Sequence, residues 1–219
     1  MAVMSVRKCP GAVERGERAE IRLPAARARP LPRAFYRRDP RAVAPELIGK
    51  VLVSGDGRAG RIVEVEAYCG AIDPAAHSYR GRTARNATMF GRAGHLYVYF
   101  TYGMHWCANA VCGDVDEGVG VLIRALEPLA GLERMREARP RARRDRDLCS
   151  GPARLTQALG ITGAHDGADL VVANAGFMLV DAGRVPRSSI RTGPRIGITR
   201  GIDARWRWYE ADNVHVSKR

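Results

Sequence analysis

Glu64 and Glu66 stand two residues apart in the run Arg61–Tyr68, Arg-Ile-Val-Glu-Val-Glu-Ala-Tyr. Its period-two alternation predicts a β-strand with Val63, Val65 and Ala67 on one face and Ile62, Glu64, Glu66 and Tyr68 on the other. Residues two apart on a strand are separated by about 7 Å. Two carboxylates at that distance, beside an aromatic ring, can bind a metal, hydrolyse a glycosidic bond or activate water. The plainer alternative is a solvent-facing strand edge carrying ordinary acids. Spacing does not choose between the two carboxylates.

A second constellation is aromatic. Tyr97, Tyr99, Phe100, Tyr102 and Trp106 crowd one strand–turn–strand in a chain that is only 6% aromatic. Aromatic faces stack on nucleobases for about 1–3 kcal/mol per base, and a ring at a hairpin tip can wedge into a base step. Cross-strand packing accounts for some of these rings, but Tyr102, beside the turn residue Gly103, is not placed for a core. Asn109 and Arg124 interrupt apolar runs, Ala-Asn-Ala-Val and Val-Leu-Ile-Arg-Ala-Leu. Each is either satisfied structurally or points into a pocket. His77, His95, His105, His165 and His215 lack metal-ligand spacing, and no P-loop or nucleophile elbow is present. Gly118-Val119-Gly120 lacks the third glycine of a dinucleotide fingerprint.

The elements that must position these groups follow from the same pattern. A helix is expected over Pro40–Ile48, a strand over Lys50–Ser54, and a hairpin turn at Gly55-Asp56-Gly57. Residues 69–94 read as a long loop region with one helical turn. His95–Tyr102 and His105–Cys112 form an antiparallel pair about Gly103-Met104, and Gly118–Ala125 is another strand. Glu127-Pro128 is expected to open a helix running to Ala138, Arg134–Asp147 to be a surface loop rich in arginine, and Ala153–Leu159 to be a second helix. Leu170–Ala173, Phe177–Val180, Ile196–Ile198 and Arg207–Glu210 read as strands. Many strands with few helical crossovers predict an α+β fold: one domain over residues 34–219, with a curved, mainly antiparallel sheet, short flanking helices and a protruding hairpin. Residues 1–33, rich in Arg, Ala and Pro, read as a disordered basic arm.

The chain of 219 residues is long enough to build its own core. No apolar run has the length of a membrane span or a signal peptide, so no membrane partner and no export are expected. Five scattered cysteines without a C-x-x-C pair argue against a disulfide framework or a zinc site and point to the reducing cytoplasm. The formal charge of +13 suggests a polyanionic partner, most simply nucleic acid, although residues 1–41 supply +7 of it.

Several stretches resemble the alkyladenine (methylpurine) DNA glycosylase family. They are Arg61–Tyr68, Asp73–Ser78, Arg85–Phe90, Gly94–Asn109, Val121–Leu129, Leu148–Pro152 and Thr192–Ile198, in that order. The resemblance covers residues 36–211 and implies excision of alkylated or deaminated purines from double-stranded DNA by a monomer without metal or redox cofactor. It implies Glu66 as the general base, Arg124 as a holder of the attacking water and a nearby phosphate, and a lesser role for Glu64. It places Tyr68, His77 and Tyr99 around the flipped base, Asn109 against guanine, and Tyr102 in the gap left in the duplex. Met104, Arg85, Arg154 and Arg195 are expected at the DNA. Arg154 stands where many relatives carry lysine, and Ala204–Trp208 departs from the family's usual ending. Lys8, Lys50 and Lys218 are the only lysines and lie outside the pocket motifs. A monofunctional enzyme is expected, since a lyase needs an amine nucleophile. The alternative is a noncatalytic binder of distorted nucleic acid that uses the same arginines and tyrosine wedge.

Overall fold

The period-two run at residues 61–68 extends at both ends into an eleven-residue strand, β2 (Ala59–Cys69). In the computed structural model, which describes residues 29–217, β2 lies inside an antiparallel, open sheet of nine strands among the described residues. The others are β1 (Val51–Ser54), β3 (His95–Thr101), β4 (His105–Cys112), β5 (Val119–Ala130), β6 (Ala168–Asp169), β7 (Phe177–Val180), β8 (Ile190–Gly193) and β9 (Arg207–Glu210). Their order is β6-β3-β4-β5-β2-β1-β7, with β9 bridging β2 and β8. Together with a few short helices this is the expected α+β architecture.

β5 runs along one edge of β2. The other edge is shared: β1 pairs residues 59–61 and β9 pairs residues 64–66. Glu64 and Glu66 therefore have strands on both sides, and the solvent-facing edge is excluded. Two register slips between β2 and β5 then decide which side chains share a face. Ile62 pairs with Leu126 but Glu64 with Ala125, so Val63 is an extra residue on β2. Val65 pairs with Ile123, so Arg124 is an extra residue on β5. Such bulges re-aim side chains and interrupt alternation. Ile62, expected beside the glutamates, instead joins Val65 and Ala67 in the main core, while Val63 is buried outside that cluster.

Helices α2 (Pro40–Leu47) and α4 (Pro152–Leu159) pack on this core through Val43, Leu47, Leu155 and Leu159. Asp39 caps α2 by accepting from the Arg41 N–H at 2.7 Å, and Pro40 fills the first helical position. A smaller cluster of Met89, Phe90, Tyr97 and Val111 joins β3 to the 3₁₀ helix Ala84–Phe90. Gly118 permits that join. Its φ is +66°, and an added Cβ would lie 2.6 Å from the Phe90 ring. No helix among the described residues is long and apolar enough to cross a membrane.

The structure corrects several expected boundaries. Glu127-Pro128 does not open a helix: β5 continues to Ala130, and α3 (Leu132–Ala138) begins after Gly131. Pro128, which has no N–H to give a ladder, pairs with Gly60 where the register slips again. Leu170–Ala173 is a turn, not a strand. Asp169 accepts from the Val171 N–H at 2.9 Å, and Asn174 accepts from the Asp169 N–H at 2.8 Å. Ile196–Ile198 is not a strand either, because Gly197 takes a φ of +78°. The strand there is β8, which was not expected. The four-residue α1 (Arg33–Tyr36) was also not expected. Most of the arm assigned to residues 1–33 lies outside the described residues. At its end, Pro30 bridges Val180, Leu31 is buried, and Arg33 pairs with Asp169 at 2.6 Å.

A buried ion pair fastens the segment after β8 to β2. Arg195 grips Asp73 through two bonds of 2.5 and 2.7 Å and also donates to the Ala67 carbonyl at 3.0 Å. Neither side chain of the pair has solvent exposure. Replacing Asp73 by alanine leaves a buried, unpaired guanidinium, which should cost about 3–5 kcal/mol. Urea unfolding followed by tryptophan fluorescence checks this, and adding Arg195→Leu should restore part of the loss.

Candidate active site

β2 carries Glu66 into the centre of the sheet, where its side chain is fully buried. Oε1 accepts from the Ile196 N–H at 2.7 Å, and Oε2 accepts from the Tyr68 hydroxyl at 3.0 Å. Arg124 Nη1 lies 3.2 Å from Oε1. Burial pushes the Glu66 carboxyl pKa up, and Arg124, the Ile196 N–H and Tyr68 pull against that rise. A carboxylate has about four lone-pair positions. Three donors approach Glu66, which leaves one place on Oε2.

The tie between the two carboxylates is broken by what surrounds them. All three partners of Glu66 line a cavity of about 330 Å³, within the range of small-molecule sites. Glu66 itself sits directly behind them and is not on the cavity surface. Glu64 is bound by Arg124, Arg207 and the Ser217 N–H, and only the first of these reaches the cavity. Asp73, another buried carboxylate, is committed to Arg195.

The cavity's other walls are aromatic. Tyr68 comes from β2, Tyr97 and Tyr99 from β3, and His77 from the long loop. His77 meets the Tyr99 ring edge-on at 4.4 Å, and its Nδ1 lies 3.2 Å from the Tyr97 hydroxyl. Asn86 fixes this loop by donating to the carbonyls of His77 at 2.9 Å and Gly81 at 3.1 Å. Burial, then Arg85, pushes the His77 pKa below its usual value. The ring is neutral at pH 7 and offers one donor and one acceptor. Burial keeps the phenols of Tyr68 and Tyr99 protonated. Asn109, buried on β4, spends one amide proton on the Tyr97 carbonyl at 3.2 Å. Such walls suit a flat heteroaromatic ring with hydrogen-bonding edges.

Tyr102 stands at the cavity's mouth and is 80% exposed. It occupies the turn between β3 and β4 with φ of +52°, followed by Gly103 at +66°, and the Met104 N–H donates to the Thr101 carbonyl at 3.2 Å. Two consecutive positive φ values make the tight twisted turn that hairpins favour. For a bulky residue the left-handed region is strained, a cost met most often at functional sites. Met104, two residues on in the same turn, is 66% exposed.

The expected arginines divide. Arg85 is exposed beside the tip end of the hairpin and donates to the Phe100 carbonyl at 2.7 Å. Arg154 is exposed in the first turn of α4 and donates to Ser150 Oγ at 3.0 Å. Arg195, expected at the DNA, is instead interior, and its charge is spent on Asp73. Its guanidinium lies 4.7 Å from the Tyr68 ring centre, so it braces a cavity wall from behind. Sequence reasoning missed Thr199 and Arg200, which line the cavity. It also missed Arg207 and Ser217 behind the glutamates. An arginine between two tryptophans was the available signal for Arg207.

The chain is similar to known proteins over most of its length. The family model described as methylpurine-DNA glycosylase matches residues 34–214. A protein of Burkholderia lata is 67% identical over 187 residues, covering 85% of this chain and 90% of that protein. One from Koribacter versatilis is 49% identical over 199 residues, covering 88% and 95%. One from Streptomyces avermitilis is 47% identical over 194 residues, covering 86% and 91%. All three carry the provisional name 3-methyladenine DNA glycosylase. With a match of this extent, the chain belongs to the methylpurine-DNA glycosylase family.

Proposed function

We propose that the protein is a monofunctional glycosylase that flips damaged purines out of double-stranded DNA and hydrolyses their N-glycosidic bond. It leaves an abasic site and acts as a monomer on chromosomal DNA in the cytoplasm. Its substrates are of the 3-methyladenine, 7-methylguanine, hypoxanthine and ethenoadenine class. One observation carries this reading: an aromatic cavity lined by Arg124, with its buried partner Glu66 directly behind the wall and the exposed Tyr102 at its mouth.

The target atom is out of reach inside a duplex, so the base must be extruded at a cost of a few kcal/mol. Tyr102, with Met104 beside it, fills the gap, and Arg85 and Arg154 meet phosphates. The extruded ring lies among Tyr68, His77 and Tyr99. An alkylated purine is cationic and gains from these electron-rich faces, and Asn109 crowds the exocyclic amine of guanine. Glu66 deprotonates a water held with Arg124, and its negative charge favours the oxocarbenium-like sugar. Hypoxanthine is neutral and also needs its ring protonated as it leaves. No lysine lines the cavity. Lys50 is held elsewhere by Asp181 at 2.5 Å and the Gly183 carbonyl at 2.9 Å, while Lys8 and Lys218 lie outside the described residues.

Glu66→Gln separates the enzyme from a noncatalytic binder. Base release should fall by about 10²–10⁴-fold, while affinity for an abasic-analogue duplex stays near wild type. Equal behaviour of wild type and variant would favour the binder. The raised pKa of Glu66 fixes the sign of the pH dependence. The base must be ionised, so single-turnover release should fall as pH drops through a midpoint above the ordinary glutamate value of about 4.3. An acid limb that survives unchanged in the residual release by Glu66→Gln would remove Glu66 as the base. Replacing Asn109 by alanine should raise release of unmodified guanine, measured by chromatography of free bases.

A further inference from the structure

Glu64 is a fully buried charge that the proposed chemistry leaves unused. Its Oε1 accepts from Arg124 Nε at 3.1 Å and from Arg207 Nε at 2.7 Å. Its Oε2 accepts from the Ser217 N–H at 2.7 Å. Arg124 is thereby held at separate points of its guanidinium. Nε is on Glu64, Nη2 is 3.4 Å from Ser217 Oγ, and Nη1 is left facing Glu66 at 3.2 Å. Arg124 is also the extra residue of the β5 register slip, so regular alternation does not set its direction. Side-chain partners must do so. Arg207 arrives on β9 directly opposite Glu66 in the ladder, is buried, and rests against the Tyr209 ring at 4.4 Å. Two carboxylates and two guanidinium groups thus make a neutral buried quartet. Without Arg207 it would carry a net negative charge, which the interior penalises.

We infer that Glu64, together with Arg207 and the Ser217 N–H, is a positioning assembly that orients Arg124 toward Glu66 and the cavity, and that the segment after β9, as far as Ser217, forms part of the active site. This rests on the glycosylase reading of the same site. Every partner of Glu66 lines the cavity, whereas Arg124 is the one partner of Glu64 that does, so Glu64 acts through Arg124 and not on the substrate. The groups facing Glu66 are Glu64 and Tyr68 from β2, Arg124 from β5, Cys107 from β4, Arg195 from the segment after β8, and Arg207 from β9. Removing the charge of Glu64 takes a negative group from that set and leaves Arg124 and Arg207 beside Glu66, Arg195 being paired with Asp73.

The test uses the full chain and a duplex carrying one ethenoadenine or one hypoxanthine, with single-turnover release followed against pH. Glu64→Gln should slow release by about 10- to 100-fold through misorientation, with binding to an abasic-analogue duplex within about threefold of wild type. The acid-limb midpoint should move down, because the ionised form of Glu66 loses a negative neighbour and keeps its positive ones. A merely structural role would reduce the folded fraction without moving that midpoint. Ser217→Pro deletes the N–H on Glu64 and changes no charge, so it should slow release with the midpoint unmoved. A Glu64→Gln enzyme with wild-type rate and midpoint overturns the inference. Should Glu64→Gln not fold, a Ser217→Pro rate within about twofold of wild type overturns it alone. Absence of release by wild type itself would instead sink the glycosylase reading.

Discussion

Two carboxylates buried side by side in the middle of a sheet are the constraint on which the rest of the molecule turns. Desolvation of an ionised carboxylate costs several kcal/mol unless partners replace the lost water. Glu64 and Glu66 share one stretch of β2, have strands on both sides and have no solvent exposure. The fold must bring cations to them, and it does so from both neighbouring strands. Arg124 comes from β5 and Arg207 from β9. The register slips that look like defects of the β2–β5 ladder are what allow Arg124 to lie across the pair. The division of β2's other edge between β1 and β9 is what lets Arg207 in.

A second buried pair, Arg195 with Asp73, does for the cavity wall what the quartet does for its floor. It ties the end of β2, the long loop and the segment after β8 at one point. Ile196, next in the chain, then delivers its N–H to Glu66 at 2.7 Å. Had Ile196–Ile198 been a strand, that N–H would have belonged to a ladder. The irregular backbone at Gly197 frees it. Loss of strand structure here is therefore coupled to satisfaction of a buried charge, and the same segment supplies Thr199 and Arg200 to the cavity.

The strands marked by period-two alternation, as in β2, or by runs of aromatic and apolar residues, as in β3, β4 and β7, were legible in the sequence, and so was the aromatic hairpin with Tyr102 at its tip. The failures have physical causes that lie outside local pattern. The face assignment of Ile62 failed because a bulge shifts the phase of alternation and leaves no mark in residue types. The helix expected at Glu127 failed because Pro128 could sit opposite a register slip. Leu170–Ala173 failed because Asp169 and Asn174 satisfy the backbone with side chains. Within the site, Glu66, Tyr68, His77, Tyr99, Asn109 and Arg124 could be named from motifs and do converge on one place. Spacing alone could not rank Glu64 against Glu66, and the resemblance to relatives supplied that order. Arg195 illustrates the opposite error. An arginine in a basic chain invites a phosphate contact, yet its partner Asp73 lies 122 positions away in sequence and only the fold brings them together.

The arrangement also separates rigidity from strain in a way that fits the proposed chemistry. Glu66 and Arg124 are held in the sheet centre by several polar contacts of 2.7–3.4 Å, where a misplacement of about 1 Å can cost about 10²-fold in rate. Tyr102 is held at a hairpin tip in a left-handed conformation that its side chain disfavours. Strain at a two-residue turn persists only because the β3–β4 ladder over-determines it, from Leu96 opposite Ala110 to Thr101 opposite His105. In the proposed reaction, a backbone fixed in this way loses little further freedom when the exposed ring enters a base stack, so more of the stacking energy remains to offset unpairing. A rigid floor and a preset wedge would then let the lesion's own weakness, and not motion of the protein, decide which purine is extruded.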